Sequence, residues 1–138
     1  MSRSTSRRES PGDRVAALER MGIEIHSTSA GSIRAGWPKG STHWRVEVLR
    51  AGAFVQTPFS MGSAHKGEPK TEDVIHSLLM DMDILSMSFA EYCKELGLDR
   101  GSVSTRYDYN RGREVCDKFR AMFTAEELEE LRELFADY

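Results

Sequence analysis

Along the first half of the chain, apolar and polar residues alternate with the period of two that is typical of β-strands. The clearest segment spans residues 43–50, where every second residue from 44 to 48 is apolar. Its apolar positions are Trp44, Val46 and Val48, and the positions between them are His43, Arg45 and Glu47. This pattern predicts a strand with one buried and one solvated face. A hairpin turn at Ala51, Gly52 and Ala53 leads into a predicted strand over residues 54–59, whose Pro58 favours a sheet edge or a bulge.

A helix and another strand are predicted before this hairpin. Residues 11–21 begin with Pro11 and Asp13 and end before Gly22, as helices commonly do. The apolar face of this helix is expected to be Val15, Leu18 and Met21. Ile23 and Ile25 then alternate with polar residues, which predicts a strand and brings the antiparallel sheet to about three strands. The stretches 27–42 and 61–70 are rich in Ser, Gly and Pro and are predicted as loops.

Helical periodicity begins at Thr71, which is expected to cap a helix that packs on the sheet. The apolar stripe of that helix is Val74, Ile75, Leu78, Leu79, Met82 and Leu85. Ser88 and Glu91 form a capping box that opens a second, short helix, which ends at Gly97.

Two further helices are predicted after Gly97. One spans residues 102–123, and its expected inward positions are Val103, Tyr107, Val115, Cys116, Phe119 and Phe123. A second capping box, formed by Thr124 and Glu127, opens the last helix. Its apolar stripe is Leu128, Leu131, Leu134 and Phe135.

Together these elements predict an α+β fold: a short N-terminal helix, a small antiparallel sheet and a C-terminal bundle of about four helices. Residues 1–10 are Ser, Arg and Glu without apolar periodicity and are predicted as a disordered basic tail. Residues 11–138 are predicted as one domain, with residues 11–60 forming the helix and sheet and residues 71–138 the helical part. A chain of this length buries about two thirds of its unfolded surface, so it needs neither disulfides nor a structural metal.

No apolar run approaches the roughly 18 residues of a membrane span, and no hydrophobic stretch follows the basic N-terminus. We therefore expect a cytoplasmic protein without membrane contact. The net charge of −3 is unevenly distributed, because residues 1–65 carry a balance of +4 and residues 66–138 a balance of −7. This asymmetry favours charged partners more than the net charge suggests.

Catalytic and metal-binding patterns are absent from the sequence. His65, His76, Cys93 and Cys116 are separated by 10, 16 and 22 residues, which matches no metal-ligand spacing. Neither a phosphate-binding glycine motif nor a nucleophile elbow occurs, and Ser63 beside His65 has no third partner for a triad. The prediction is a non-enzymatic protein with no cofactor and no metal.

Two surfaces remain as candidates for binding. The last helix carries acidic residues around its apolar stripe, and they predict a docking site for a basic partner or a mimic of the DNA backbone; a solvated helix face is the ordinary alternative. The candidate partner-binding residues are Glu126, Glu127, Glu130, Glu133 and Asp137. Charge reversal at Glu127, Glu130 and Glu133 is expected to weaken the partner while leaving thermal stability nearly unchanged.

The alternative is a helix-turn-helix DNA-binding regulator over residues 88–113, with Gly97 at the turn. Its candidate nucleic-acid contacts are Arg100, Ser102, Ser104, Thr105, Arg106, Arg111 and Arg113. Arg106 argues against this interpretation, because such motifs bury an aliphatic residue at its position. Two helices joined by a capped turn are the ordinary explanation of this segment.

The order of several short motifs resembles a family of small phage and prophage proteins. The motifs are GWPKG at residues 36–40, HWRV at 43–46, GSAH at 62–65, DVIHSLLMD at 73–81, SFAEYC at 88–93 and LGLD at 96–99. The resemblance covers roughly residues 14–123, and Gly101, Val103 and Ser104 depart from the family pattern. It implies a phage accessory protein that acts in a bacterial cell by binding and inhibiting a host protein complex. In its most specific form, that function is anti-CRISPR or other anti-defence activity with a CRISPR effector as the partner.

Overall fold

The computed structural model describes residues 11–31, 42–62 and 67–138, which form five helices and three strands. The helices are α1 (Pro11–Arg20), α2 (Thr71–Ile84), α3 (Phe89–Leu96), α4 (Val103–Arg120) and α5 (Ala125–Leu134). The strands are β1 (Glu24–Gly31), β2 (Thr42–Arg50) and β3 (Ala53–Met61). This arrangement confirms the predicted α+β class. The predicted tail at residues 1–10, residues 32–41 of the predicted loop, and Ser63 with His65 lie outside the described residues.

The three strands form an antiparallel sheet in the order β1-β2-β3. Ala51 and Gly52 connect β2 to β3 with φ angles of 51° and 86°, and positive φ at both central residues is the backbone geometry of the hairpin turn that matches strand twist. Pro58 lies in β3, an edge strand, as predicted. The prediction of a loop over residues 27–42 is wrong for residues 27–31. These residues belong to β1, which pairs with β2 despite its Ser and Thr content. Cross-strand pairing outweighs weak local propensity here.

The helices cover one face of the sheet. Val48 pairs with Ile25 on one side and Val55 on the other, so these three side chains point to the same face. Buried residues of the sheet and of all helices but α3 form one hydrophobic core, which includes Leu18, Val46, Val48, Val55, Ile75, Leu78, Phe119 and Leu131. The main backbone contact with the sheet comes from α4 against β3, rather than from α2 as expected, and α2 packs on α4 and α1.

The buried face of α1 differs from the prediction. Val15 is 42% exposed, whereas Arg14 is buried together with Ala17 and Leu18. The Arg14 guanidinium lies 4.9 Å from the centre of the Tyr138 ring. A charged residue thus occupies the first inward position of an i, i+3, i+4 pattern, which the search for apolar residues could not recognise.

The predicted inward face of α4 is wrong at its N-terminal end. Val103 is 84% exposed and Tyr107 is 65% exposed, while Tyr109 is buried. Residues two apart in a helix differ by about 200°, so burial of Tyr109 turns Tyr107 to solvent. The Tyr109 hydroxyl donates to the Met87 carbonyl at 2.5 Å, and its ring packs edge-on against Phe89. The prediction is confirmed for Val115, Cys116 and Phe119, which are buried.

The helix ends follow the predicted capping chemistry except at α2. Both capping boxes are present, at Ser88 and Thr124. Gly97 has a φ of 67°, and the following Leu98 N–H donates to the Cys93 carbonyl, which closes α3 as predicted. The N-cap of α2 is Lys70 without a side-chain hydrogen bond, so the expected role of Thr71 as the cap is wrong.

Candidate functional site

The solvent side of α5 carries a group of carboxylates that the fold holds in one orientation. Leu131, Leu134 and Phe135 are buried and anchor α5 to the core. The opposite side presents Glu126, Glu129, Glu130, Glu133 and Asp137, all of them exposed. We call these five residues the acidic face. It contains four of the five partner-binding residues predicted from the sequence.

Glu127, the fifth predicted partner-binding residue, lies elsewhere and is paired inside the molecule. Its two carboxylate oxygens accept hydrogen bonds from the Arg50 guanidinium at 3.0 and 2.5 Å. The Glu127 side chain is 31% exposed and the Arg50 side chain 16% exposed. Glu127 also completes the capping box by accepting from the Thr124 backbone N–H at 2.8 Å. Its assignment to a partner-binding surface is therefore not supported, and its charge reversal would disturb the fold.

Arg50 connects four parts of the chain at the end of β2. Besides Glu127, its guanidinium donates to the Met21 carbonyl at 2.8 Å and to the Met122 carbonyl at 2.6 Å. It also lies 4.7 Å from the centre of the Phe123 ring. We call Arg50 with these four residues the Arg50 cluster. It joins the end of α1, the hairpin, the connection between α4 and α5, and the first turn of α5.

The electrostatics of the Arg50 cluster explain the ionisation of Glu127. The hydrogen bond from Arg50, followed by that from the Thr124 backbone, lowers the pKa of the Glu127 carboxyl from 4.5 to about 2. The carboxylate is thus charged throughout the physiological range. Sequence analysis missed Arg50, although one signal was available: it continues the inward series of Trp44, Val46 and Val48.

The acidic face itself is lightly paired. Glu130 lies 3.7 Å from the Arg20 guanidinium, and both side chains are more than half exposed. Within the part of the chain that the structure describes, Glu126, Glu129 and Glu133 form no ion pair and no side-chain hydrogen bond. Their charges are therefore available to a partner.

The segment predicted as a helix-turn-helix has an unusual connection for that motif. Six residues, 97–102, separate α3 from α4, compared with the usual three to four. Ser102 caps α4 by accepting from the Thr105 N–H at 3.3 Å, and its hydroxyl lies 3.0 Å from that of Ser104. Val103, which should hold the second helix against the first, points to solvent.

All the predicted arginine contacts of this segment are exposed, and two of them also contact aromatic side chains. Arg106 lies 3.8 Å above the Phe89 ring, and Arg113 donates to the Tyr109 hydroxyl at 2.5 Å. Arg111 is 3.8 Å from Glu114 and Arg100 is exposed. DNA binding remains a prediction that this geometry does not favour.

A carboxyl group is also enclosed near the contact between α2 and α4. Burial raises the pKa of Asp81 in α2 from 3.8 to about 6. Burial likewise raises the pKa of the Cys116 thiol in α4 to about 11, and the charge of Asp81 adds to that shift. Within the described ranges, the Asp81 side chain forms no hydrogen bond or ion pair. Its ionisation therefore opposes folding.

Neither a metal centre nor a membrane helix is found in residues 11–31, 42–62 and 67–138. No group of three or more His, Cys, Asp and Glu side chains among them is arranged to hold a metal ion. No helix in these ranges combines the length and apolar character needed to cross a bilayer. Cys93 and Cys116 are both buried as free thiols.

Comparison with known proteins adds no assignment. No family model, no curated protein and no solved structure matches the chain. The resemblance to small phage proteins therefore rests on the short motifs of the sequence.

Proposed function

We propose that this chain is a phage or prophage accessory protein that binds and inhibits a protein complex of its bacterial host without catalysing a reaction. The most specific form of the proposal is an anti-CRISPR or other anti-defence protein. The motif resemblance supplies the biological context. The acidic face on α5 is the observation that carries the proposal, because it offers a defined surface for a basic partner.

The charges on the solvent side of α5 are of one sign. Glu126 with Glu130, and Glu129 with Glu133, are like-charged pairs four residues apart. Their mutual repulsion of about 0.2–0.5 kcal/mol per pair is offset at Glu126 by its position in the first turn of the helix. This concentration of negative charge supports the proposal because it complements a basic site on another protein.

The support beneath the acidic face also suits binding. The Arg50 cluster and the Thr124 capping box hold the first turn of α5, and the buried leucines hold the rest. A charged surface on a fixed helix loses little conformational entropy when a partner binds, so more of the electrostatic attraction appears as affinity. Complementary charges would also speed association.

Phage plating tests the proposal directly. The chain is expressed in a bacterial strain whose CRISPR system targets the infecting phage. The test variant reverses three charges of the acidic face, Glu126→Lys, Glu130→Lys and Glu133→Lys, and leaves Glu127 intact. We expect wild-type protein to restore plating and this variant to lose that effect.

A matched control reverses three exposed carboxylates elsewhere, Glu68→Lys, Glu95→Lys and Asp108→Lys. It changes net charge equally and should retain full activity if the acidic face is the binding surface. Equal loss in both variants would mean that total charge, and not the acidic face, matters. Failure of the wild-type protein to protect phage from any defence system tested, together with no defence component in affinity purification, would refute the anti-defence function.

A further inference from the structure

A groove separates α1, the start of β1 and the N-terminus of α2. Its volume is about 800 Å³. Its floor is apolar, with Leu18 and Ile23 buried and Ile25 partly covered, and Val15 lines it while remaining largely exposed. We call it the α1–β1 groove. The volume of the groove lies within the range of about 300–1,000 Å³ that is typical of binding sites. Because its floor is apolar, it suits a ligand with apolar side chains, unlike the acidic face.

The α1–β1 groove meets the sheet at the start of β1. Glu24 and Ile25, the first two residues of that strand, both line it, and neighbouring residues of a strand point to opposite faces. A cavity that touches both reaches around the outer side of β1, which is an edge strand. Within the described residues, no strand pairs with that side. At the start of β1, the outward backbone groups are therefore in position to pair with an added strand.

The rim of the α1–β1 groove is predominantly acidic. Glu19, Glu24 and Glu72 line it, against the single cation of Lys70. Glu19 and Glu24 are exposed, and Glu24 has only a weak contact of 3.8 Å with His26, which is also exposed. A basic occupant complements this rim, whereas an acidic one would be repelled by it.

We propose that the α1–β1 groove binds an extended basic segment of a partner protein, which pairs with β1 as an added strand. Alternate apolar side chains of that segment would pack on Val15 and Ile25, and its Lys or Arg side chains would approach Glu19, Glu24 and Glu72. Strand addition of this kind takes affinity from backbone pairing and specificity from the alternate side-chain sites. The proposal goes beyond the acidic face and does not depend on it.

Fluorescence anisotropy with synthetic peptides tests the chemistry of the occupant. The probe is a labelled, acetylated and amidated eight-residue peptide of alternating Val and Lys, and its control replaces each Lys with Glu. The Lys peptide should bind the full chain and the Glu peptide should not. The double variant Glu19→Lys, Glu24→Lys should weaken binding of the Lys peptide by about tenfold, because it removes two exposed attractions and adds repulsion.

The matched control, Glu95→Lys with Asp108→Lys, makes the same change of charge away from the groove and should bind as tightly as wild type. Equal weakening by both double variants would overturn the proposal, as would equal binding of both peptides. Thermal melting of every variant establishes that each remains folded.

Two measurements test the strand-addition mode. A Val and Lys peptide with alternate backbone nitrogens methylated cannot form the added ladder, so it should lose binding. Amide chemical shifts in a titration with the unmethylated peptide should change most in residues 22–25 and 69–72. Unchanged affinity after methylation, or shifts centred on the acidic face, would overturn the proposal. Concentration-dependent dimerisation that Glu24→Lys abolishes would also overturn it, because the occupant would then be a second copy of the chain.

Discussion

Replacing Arg50 with methionine should destabilise the whole domain, although Arg50 is a charged residue at the end of a strand. The side chain is only 16% exposed, and its guanidinium donates to Glu127 and to the carbonyls of Met21 and Met122. Methionine has a similar length and keeps the apolar contacts of the side chain. It removes every donor, so the two carbonyls and the carboxylate lose their partner together.

The expected loss can be worked from these contacts. Each hydrogen bond from the charged guanidinium to a carbonyl contributes about 1.5–3 kcal/mol, whereas the partly exposed ion pair with Glu127 adds little. The contacts share one guanidinium and are partly accessible to water, so their contributions do not add fully. We expect the free energy of unfolding of Arg50→Met to fall by about 3–4 kcal/mol, which is a large part of the 5–15 kcal/mol typical of a domain. The corresponding decrease in Tm is about 10 °C.

Urea unfolding followed by circular dichroism measures this loss as a shift of the midpoint at constant slope. The control is Arg45→Met, which removes the same charge from the same strand on its exposed face. A shift no larger than that of the control would refute the structural role of Arg50.

The pH dependence supplies a second check on the same reasoning. The lowered pKa of Glu127, about 2 instead of 4.5, stabilises the fold above pH 4.5, and this contribution is lost as the pH falls toward 2. Arg50→Met should therefore lose much of the acid sensitivity that wild-type stability shows between pH 4.5 and 2. If stability decreased equally between pH 4.5 and 2 in wild type and Arg50→Met, the acid sensitivity could not be assigned to the pair of Arg50 and Glu127.

Three further substitutions have outcomes that follow from the packing of α2, α3 and α4. The pKa of Asp81 is raised from 3.8 to about 6, so the stability of the wild-type protein should decrease as the pH rises from about 4 to about 6. Asp81→Asn should remove this dependence and be more stable at pH 7 by about 1–2 kcal/mol. Urea unfolding at several pH values measures both effects. A Cβ at Gly112 would lie 2.7 Å from a methyl group of Leu85, so Gly112→Val should lower stability by about 1–3 kcal/mol in thermal melts. The control Gly101→Val should have a smaller effect, because a Cβ there has no contact under 3.4 Å. Tyr109→Phe removes a buried hydroxyl that bonds a carbonyl and Arg113, and it should cost about 1–3 kcal/mol and speed amide exchange in α3.

The elements predicted most accurately are those whose chemistry is local in sequence. Ser88 and Thr124 begin helices because each side chain bonds a backbone N–H three residues later, and Gly97 ends one because it adopts a positive φ at little cost. The alternation in β2 similarly identifies Val46 and Val48 as buried, whereas His43, on the face predicted to be solvated, is also buried at 7% exposure. These signals lie within a few residues of each other, so a single sequence contains them.

Burial of polar residues could not be predicted in the same way. Arg14 is inward because it lies over Tyr138, and Tyr109 is inward because its hydroxyl reaches Met87. Each partner is distant in sequence, and the apolar periodicity assigns the neighbouring residues, Val15 and Tyr107, to the core instead. Tertiary contacts decide which face of a helix with mixed composition is buried.

Residues of the candidate site were likewise predictable where their role depends on local sequence, and not where it depends on a distant partner. The exposed carboxylates of α5 follow from helical periodicity and were identified from the sequence. The sequence identified Glu127 as a capping-box residue, but its ion-pair partner Arg50 is 77 residues away and could not be predicted. The structure shows that the Glu127 carboxylate is engaged within the fold.

The position of Arg50 also has a consequence for how the chain selects its strand register. A slip of β2 by one residue would carry Arg50 to the opposite face of the sheet together with every core valine of that strand. The guanidinium would then enter water, and the carbonyls of Met21 and Met122 would lose their donor together with the Glu127 carboxylate. Misregistered hairpins are thus penalised twice, through lost apolar burial and through unpaired polar groups. A single arginine in this way adds specificity for one native alignment of the sheet.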